Sequence, residues 1–325
     1  CKAPVSPRYF IIELLTGLMF LGVFMMYFSA DMRAGVPDVL KGGWLFYLLH
    51  IILLSAFIAA SAIDLELWII PLGICWFATI AAFVVSTVGA YAVDPAAIRE
   101  YALFPTASFL TGSLAAGAAV GLVISNVLLM TGLLKRSYEE QGSDLLGGED
   151  RPAQADNEAS TEADVPPEGD FNHRLEACRE IVFLLPIIIC SVGAYLILFQ
   201  IVPMETQKSF PIQHPAIAGL LGSIWGYFVG CGVVWAIRIF GAFAFGKEAM
   251  GLGDVHLMGA AGAVVGPVMV VIAFFVAPFF GLAWAGSQMF FKKVRQIPYG
   301  PFLSLGVFVV MIFHDFVMSR IAYLF

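Results

Sequence analysis

The stretch from Trp44 to Val93, WLFYLLHIILLSAFIAASAIDLELWIIPLGICWFATIAAFVVSTVGAYAV, decides the fold class. It holds two apolar runs, 44–62 and 69–93, separated by one short polar step. About 20 apolar residues carry a helix across the hydrocarbon core of a bilayer, where every backbone polar group must be satisfied within the protein. Each run is long enough to do so, and the pair reads as two membrane helices meeting at one face. The step between them is Ala59-Ala-Ser-Ala-Ile-Asp-Leu-Glu-Leu-Trp-Ile-Ile-Pro71, which sets Asp64 and Glu66 at that face.

Outward from this pair, further apolar runs fall at 9–30, 107–134, 181–202, 216–245, 255–265, 267–288 and 302–323. The run at 255–265 is short, rich in Gly and Ala, and stops at Gly266-Pro267, a break or turn. The chain of 325 residues is 60% hydrophobic and 13% charged, with mean hydropathy +0.89. Soluble domains carry roughly 45–50% apolar and about 25% charged residues, so this chain has too little polar surface for a water-facing exterior. The expectation is an all-α, polytopic membrane bundle of about eight or nine transmembrane segments.

The net charge of −7 is local in origin. Between Lys135 and Glu180 there are 13 Asp/Glu against 5 Lys/Arg, a net of −8, which leaves +1 for all other residues. Residues 137–177 are acidic, with Asn, Ser, Gly and Pro and few large apolar side chains, and such a stretch cannot bury enough surface to offset its ordering entropy. The expected organisation is therefore membrane helices over 1–134, an acidic disordered cytoplasmic loop over 135–180, and membrane helices over 181–325. No Lys/Arg cluster lies on a regular element, so nucleic-acid binding is not expected. The bilayer is the partner the composition implies.

Orientation follows Lys and Arg near helix ends. Lys2, Arg8, Lys135, Arg136, Arg174, Arg179, Lys292, Lys293 and Arg295 fall on one side if every run crosses, and that side is expected to be cytoplasmic. Asp64 and Asp254 fall there too. Arg33, Lys41, Arg99 and Lys208 lie on the other side. The cysteines (Cys1, Cys75, Cys178, Cys190 and Cys231) form no close pair and no CxxC, so neither a disulfide framework nor a metal site is expected. The chain opens at Cys1 rather than Met, which suggests that a preceding piece is missing.

Carboxylates beside apolar spans are costly and suggest function. Asp64 is one. Asp254 is the other: it ends Gly251-Leu-Gly-Asp and opens an apolar segment. Two neighbouring carboxylates cannot easily both ionise, so they share a proton. The ionised one can then act as general base on a water while the protonated one polarises a peptide carbonyl. Gly251 and Gly253 allow unusual backbone angles and the close approach of an extended peptide. A second reading remains open here, in which both aspartates cap helices at an interface, since Asp is a good N-cap. Glu13, a turn into the first run, is either interfacial or a buried functional acid. Glu66 is expected to face elsewhere on the same helix end, and His256 to make an ordinary polar contact. His50 and His314 have no partner at metal-ligand spacing. The segments Phe109–Gly117 and Gly219–Gly226 each set Gly-Ser among small residues, which close helix packing explains.

At these residues the chain resembles the type IV prepilin peptidases, GxGD-type aspartyl proteases of the bacterial inner membrane. Four segments match in order: Cys1-Lys-Ala-Pro-Val-Ser-Pro-Arg-Tyr-Phe-Ile-Ile-Glu-Leu-Leu-Thr-Gly17, Ile63-Asp-Leu-Glu-Leu-Trp-Ile-Ile-Pro71, Gly246-Lys-Glu-Ala-Met-Gly-Leu-Gly-Asp-Val-His-Leu257, and Ile297-Pro-Tyr-Gly-Pro-Phe302. The resemblance implies an endopeptidase that cuts the short basic leader from prepilins, or from pseudopilins of a type II secretion system, after a glycine at the cytoplasmic face. It implies Asp64 and Asp254 as the catalytic pair, with Pro71, Glu248, Gly251 and Gly253 supporting them. It implies no cofactor for the peptidase step. Many members of the family also methylate the new N-terminus with S-adenosylmethionine and carry a CxxC…CxxC zinc motif. Cys1 matches the last cysteine of that motif and Glu13 falls in the same segment, but the other three cysteines are absent, so neither activity nor metal is carried over. Phe10 replaces the usual Pro, and His256 stands where the family has Lys. The aspartates are further apart than is typical because an extra helical pair, about 107–202, surrounds the acidic loop. A signal peptide peptidase-like GxGD protease, a membrane transporter with intramembrane acids, and a catalytically dead assembly protein of the same fold are the alternatives. The Tyr-Asp and Pro-Ala-Leu segments of the first are not found here, and a transporter leaves the four-segment match unexplained.

Overall fold

The computed structural model describes residues 7–135, 173–291 and 298–324, and every regular element among them is helical. The long helices are α1 (Pro7–Phe28), α2 (Gly43–Leu67), α3 (Leu72–Ala92), α5 (Phe109–Met130), α6 (His173–Ile201), α8 (Pro215–Phe245) and α10 (Pro267–Phe291). Two short helices, α4 (Pro95–Tyr101) and α7 (Met204–Gln213), lie in the links, and α9 (Leu252–Val265), α11 (Gly300–Ile312) and α12 (His314–Leu324) complete the set. Among the described residues, seven helices are long and apolar enough to cross a membrane, and α11 with α12 makes an eighth crossing if that bent pair counts as one. The chain is a polytopic helical-bundle membrane protein, as its hydropathy predicts.

Two details depart from the sequence reading. The last apolar run, 302–323, is not one straight crossing: it bends by 74° between α11 and α12. Arg33, in the link after α1, pairs with Asp315 at 2.5 Å, and the same carboxylate accepts the Ala34 N–H at 2.6 Å. His314 Nδ1 lies 3.1 Å from it as well. These polar anchors hold the first turn of α12 against the link, at the opposite end of α2 from Asp64, where Arg33 also sits 5.7 Å from the Phe46 ring. The second departure is that α6 begins at His173, eight residues before the apolar run at 181. Of the expected loop 137–177, residues 137–172 lie outside the described residues, and 173–177 are the start of this helix. Hydropathy misses that turn because its residues are charged, but the charges are paired. Glu176 meets Arg179 at 2.5 Å and Glu180 is buried against Arg238.

At the centre lies α9. Fourteen residues rise about 21 Å, short of the roughly 30 Å hydrocarbon thickness, yet α9 faces protein rather than lipid over most of its length. Its residues from Leu257 through Val264 are all buried. This closeness depends on glycine: a Cβ on Gly226 of α8 would overlap the carbonyl oxygen of Gly262, one on Gly262 would overlap that of Gly226, and one on Gly230 would overlap that of Met258. Without a hydrophobic drive between helices in lipid, such backbone contact and polar links supply the association. Ser223 adds one by donating to the Ala263 carbonyl at 2.7 Å. The small residues in 219–226 are thus packing residues, as their pattern suggests. Gly226→Ala is expected to push α8 from α9 and cost about 1–3 kcal/mol, the usual range for overpacking. A thermal melt in detergent, with activity followed in parallel, measures this.

Candidate active site

The chain builds the first half of the site by ending α2 abruptly. Asp64 lies one turn before that end. Trp68 adopts a left-handed conformation (φ 59°) and its N–H caps the helix on the Asp64 carbonyl at 3.0 Å. A bulky residue rarely adopts this conformation, which is a strained one. Ile69, Ile70 and Pro71 then run without regular structure until α3 starts, with Pro71 at its N-cap position. The Asp64 side chain is buried, 6% exposed. Its Oδ2 accepts the backbone N–H of Gly300, the first residue of α11, at 3.1 Å.

The second half is built by a turn between α8 and α9. Gly246, with φ +64°, ends α8, and Gly251 is the N-cap of α9. Asp254 is the third residue of α9 and is 8% exposed. Its Oδ2 accepts the Gly251 N–H at 3.2 Å, so part of the capping reading is realised at Asp254. Asp64 caps nothing. Asp64 and Asp254, 190 residues apart in sequence, are carried by segments that meet across Ile70.

Ile70 joins the two halves. A Cβ on Gly253 would come within 2.7 Å of the Ile70 Cβ, and one on Gly300 within 3.1 Å of its Cδ1 and 2.7 Å of Asp64 Oδ2. Gly253 and Gly300 are therefore needed for close approach. Gly251 is not crowded in this way: its φ is −75°, and a Cβ there would meet the Asp254 Oδ2 no closer than 3.8 Å. The backbone freedom expected of Gly251 is not drawn on by contacts within the chain.

Three of the segments singled out in the sequence thus converge: Asp64 to Pro71, Gly251 to Asp254, and Tyr299-Gly300-Pro301. Glu13 does not join them and is exposed on α1, which meets α2 through Tyr47 and Phe20. Glu66 is exposed at the end of α2. His256 makes the expected polar contact, with Tyr227 Oη 3.1 Å from its Nδ1. Glu248 binds Arg238, a residue that sequence reasoning passed over. Arg238 is 2% exposed inside α8, and its Nε donates to Glu180 of α6 at 2.8 Å. A lone arginine in an apolar run was the available signal, since such a charge needs a partner.

The zinc of the resembled family has no set of ligands among the described residues. Among the described residues no group of three or more His, Cys, Asp or Glu side chains could hold a metal ion, and the four described cysteines are free. Cys1 lies outside the described residues.

Residues 181–286 match the model of the type IV leader peptidase family, a span that contains Asp254 but not Asp64. The chain is 28% identical over 100 residues to a prepilin leader peptidase/N-methyltransferase of Aeromonas hydrophila and to proteins of the same description from Aeromonas salmonicida, including strain A449. These alignments cover 30% of this chain and 33% of each relative, so the chain spans about a third of the length of the curated relatives it matches. No solved structure matches.

Proposed function

We propose that this chain, whose residues 181–286 match the type IV leader peptidase family, is an aspartyl endopeptidase that removes the N-terminal leader of prepilins or pseudopilins. The observation that carries this is that the segments of two buried carboxylates, Asp64 and Asp254, meet across Ile70, which crowds both Gly253 and Gly300, while Asp64 accepts the Gly300 N–H. On this reading the pair shares one proton. The ionised carboxylate takes a proton from a water as that water attacks the scissile carbonyl carbon, and the protonated one donates to the carbonyl oxygen. The uncrowded backbone at Gly251 leaves room for an extended peptide, which a protease needs because helical hydrogen bonding hides the scissile bond. The cytoplasmic face is the proposed side for cutting, after a glycine, because Lys135, Arg174 and Arg179 flank the helix ends on the side of the pair.

The test is leader cleavage by the protein in detergent or liposomes, given a prepilin-like substrate and followed by mass spectrometry. Cleavage at the leader junction is expected. A substrate left intact by folded protein overturns the proposal. The pH dependence is expected to be bell-shaped with two apparent pKa values belonging to the pair. Rate is lost at low pH as the base takes up a proton, and at high pH as the acid gives its proton up. A rate that rises to a plateau and never falls would argue against a shared proton.

A further inference from the structure

Outside the two carboxylates, Arg238 is a buried charge that pairs with two further carboxylates, and its bonds lead to the site. Its Nε donates to Glu180 Oε1 at 2.8 Å, while Trp235 Nε1 donates to Oε2 of the same carboxylate at 3.0 Å. Its Nη1 donates to Glu248 and to the Met250 carbonyl. That carbonyl and the Gly251 N–H belong to one peptide plane. The plane is rigid and trans, so its two polar groups point to opposite sides. Arg238 holds one side, and the Gly251 N–H on the other donates to Asp254 Oδ2.

We infer that Glu180 and Arg238 are positioning residues for Asp254, locking the Met250–Gly251 peptide so that its N–H faces the carboxylate. This inference rests on the peptidase reading. Without the lock, rotation of that plane is cheap, because the residue that follows is glycine. Rotation would turn the Met250 carbonyl toward Asp254 and replace a donor by an acceptor. Hydrogen bonds in such a chain also polarise one another, so the guanidinium strengthens the N–H it never touches. Glu180 comes from α6, the helix after the acidic segment, and lies one residue before the family match begins. Glu180 thereby ties α6, most of which lies inside the family match, to the site.

Arg238→Met is expected to lower kcat by about 10²-fold, the scale of a small misplacement of a reacting group, with KM within about threefold. Glu180→Gln is expected to lower kcat by about tenfold, since Arg238 keeps its other partners. Single changes leave buried charges unpaired and weaken the fold as well, so the deciding variant is Glu180→Gln/Arg238→Met/Glu248→Gln. Removing the whole network restores the melting temperature toward that of the unmodified protein. On the positioning account kcat stays low in this variant; if kcat recovers along with the melting temperature, the role is structural and the inference fails. Hydrogen exchange of the Gly251 amide gives a second readout that needs no activity. It is expected to be slow in the unmodified protein and faster in Arg238→Met. An equally fast amide in both would overturn the lock even if cleavage is seen, and absence of cleavage with a protected amide would count against the peptidase reading alone.

Discussion

Asp64→Asn and Asp254→Asn are each expected to lower kcat for leader cleavage by at least about 10³-fold, or about 4 kcal/mol of barrier. Asparagine keeps the size and shape of the side chain and one carbonyl oxygen. It can still accept the Gly300 N–H at position 64 or the Gly251 N–H at position 254, so both folds should hold. What it cannot do is carry the shared proton or take one from water. Each variant leaves a lone carboxylate that titrates by itself, and the bell-shaped profile should vanish from any residual rate. The pair of variants also separates catalysis from capping, because Asn caps a helix about as well as Asp. If Asp254 served only to receive the Gly251 N–H, Asp254→Asn would cleave normally. Single-turnover cleavage on protein whose melting temperature is unchanged makes the comparison. Near-normal rates in either variant would remove the assignment.

The membrane bundle was legible because apolar length is a coarse signal: α2 and α3 could be read from Trp44 to Val93 without any partner known. The pairing of Asp64 with Asp254 was legible only through the order of their flanking segments, since nothing local distinguishes a catalytic aspartate from a cap. The rest was hidden for physical reasons. Glu180 reads as the polar edge of a span until Arg238 is seen beside it, and ion pairing between helices leaves no trace in periodicity. The bend at Phe313 comes with a contact from Arg33, which reaches Asp315 across 282 positions of sequence. Gly300 reads as a turn residue before a proline. That it touches a carboxylate from α2 is a tertiary fact.

That contact gives the second large effect. Gly300→Ala is expected to lower kcat by about 10²-fold, the cost of moving a reacting group by about 1 Å. The added methyl would lie 2.7 Å from Asp64 Oδ2, 3.3 Å from its Cγ and 3.1 Å from Ile70 Cδ1, all inside ordinary contact distance. Two relaxations are open to the protein. Asp64 can swing away and lose the Gly300 N–H, or α11 can back off and take that N–H with it. Both leave a buried carboxylate short of its donor and displaced from Asp254, so both damage the same step. Substrate binding is less affected, and the loss should appear in kcat more than in KM. Gly281→Ala on α10 is the control, because its methyl would meet only ring carbons of Phe302, at 3.8 Å and beyond. Its rate should match the unmodified protein. If Gly300→Ala is equally active, Asp64 is not held by Gly300 in the working enzyme. The reacting position of that carboxylate would then have to differ from the one bonded at 3.1 Å.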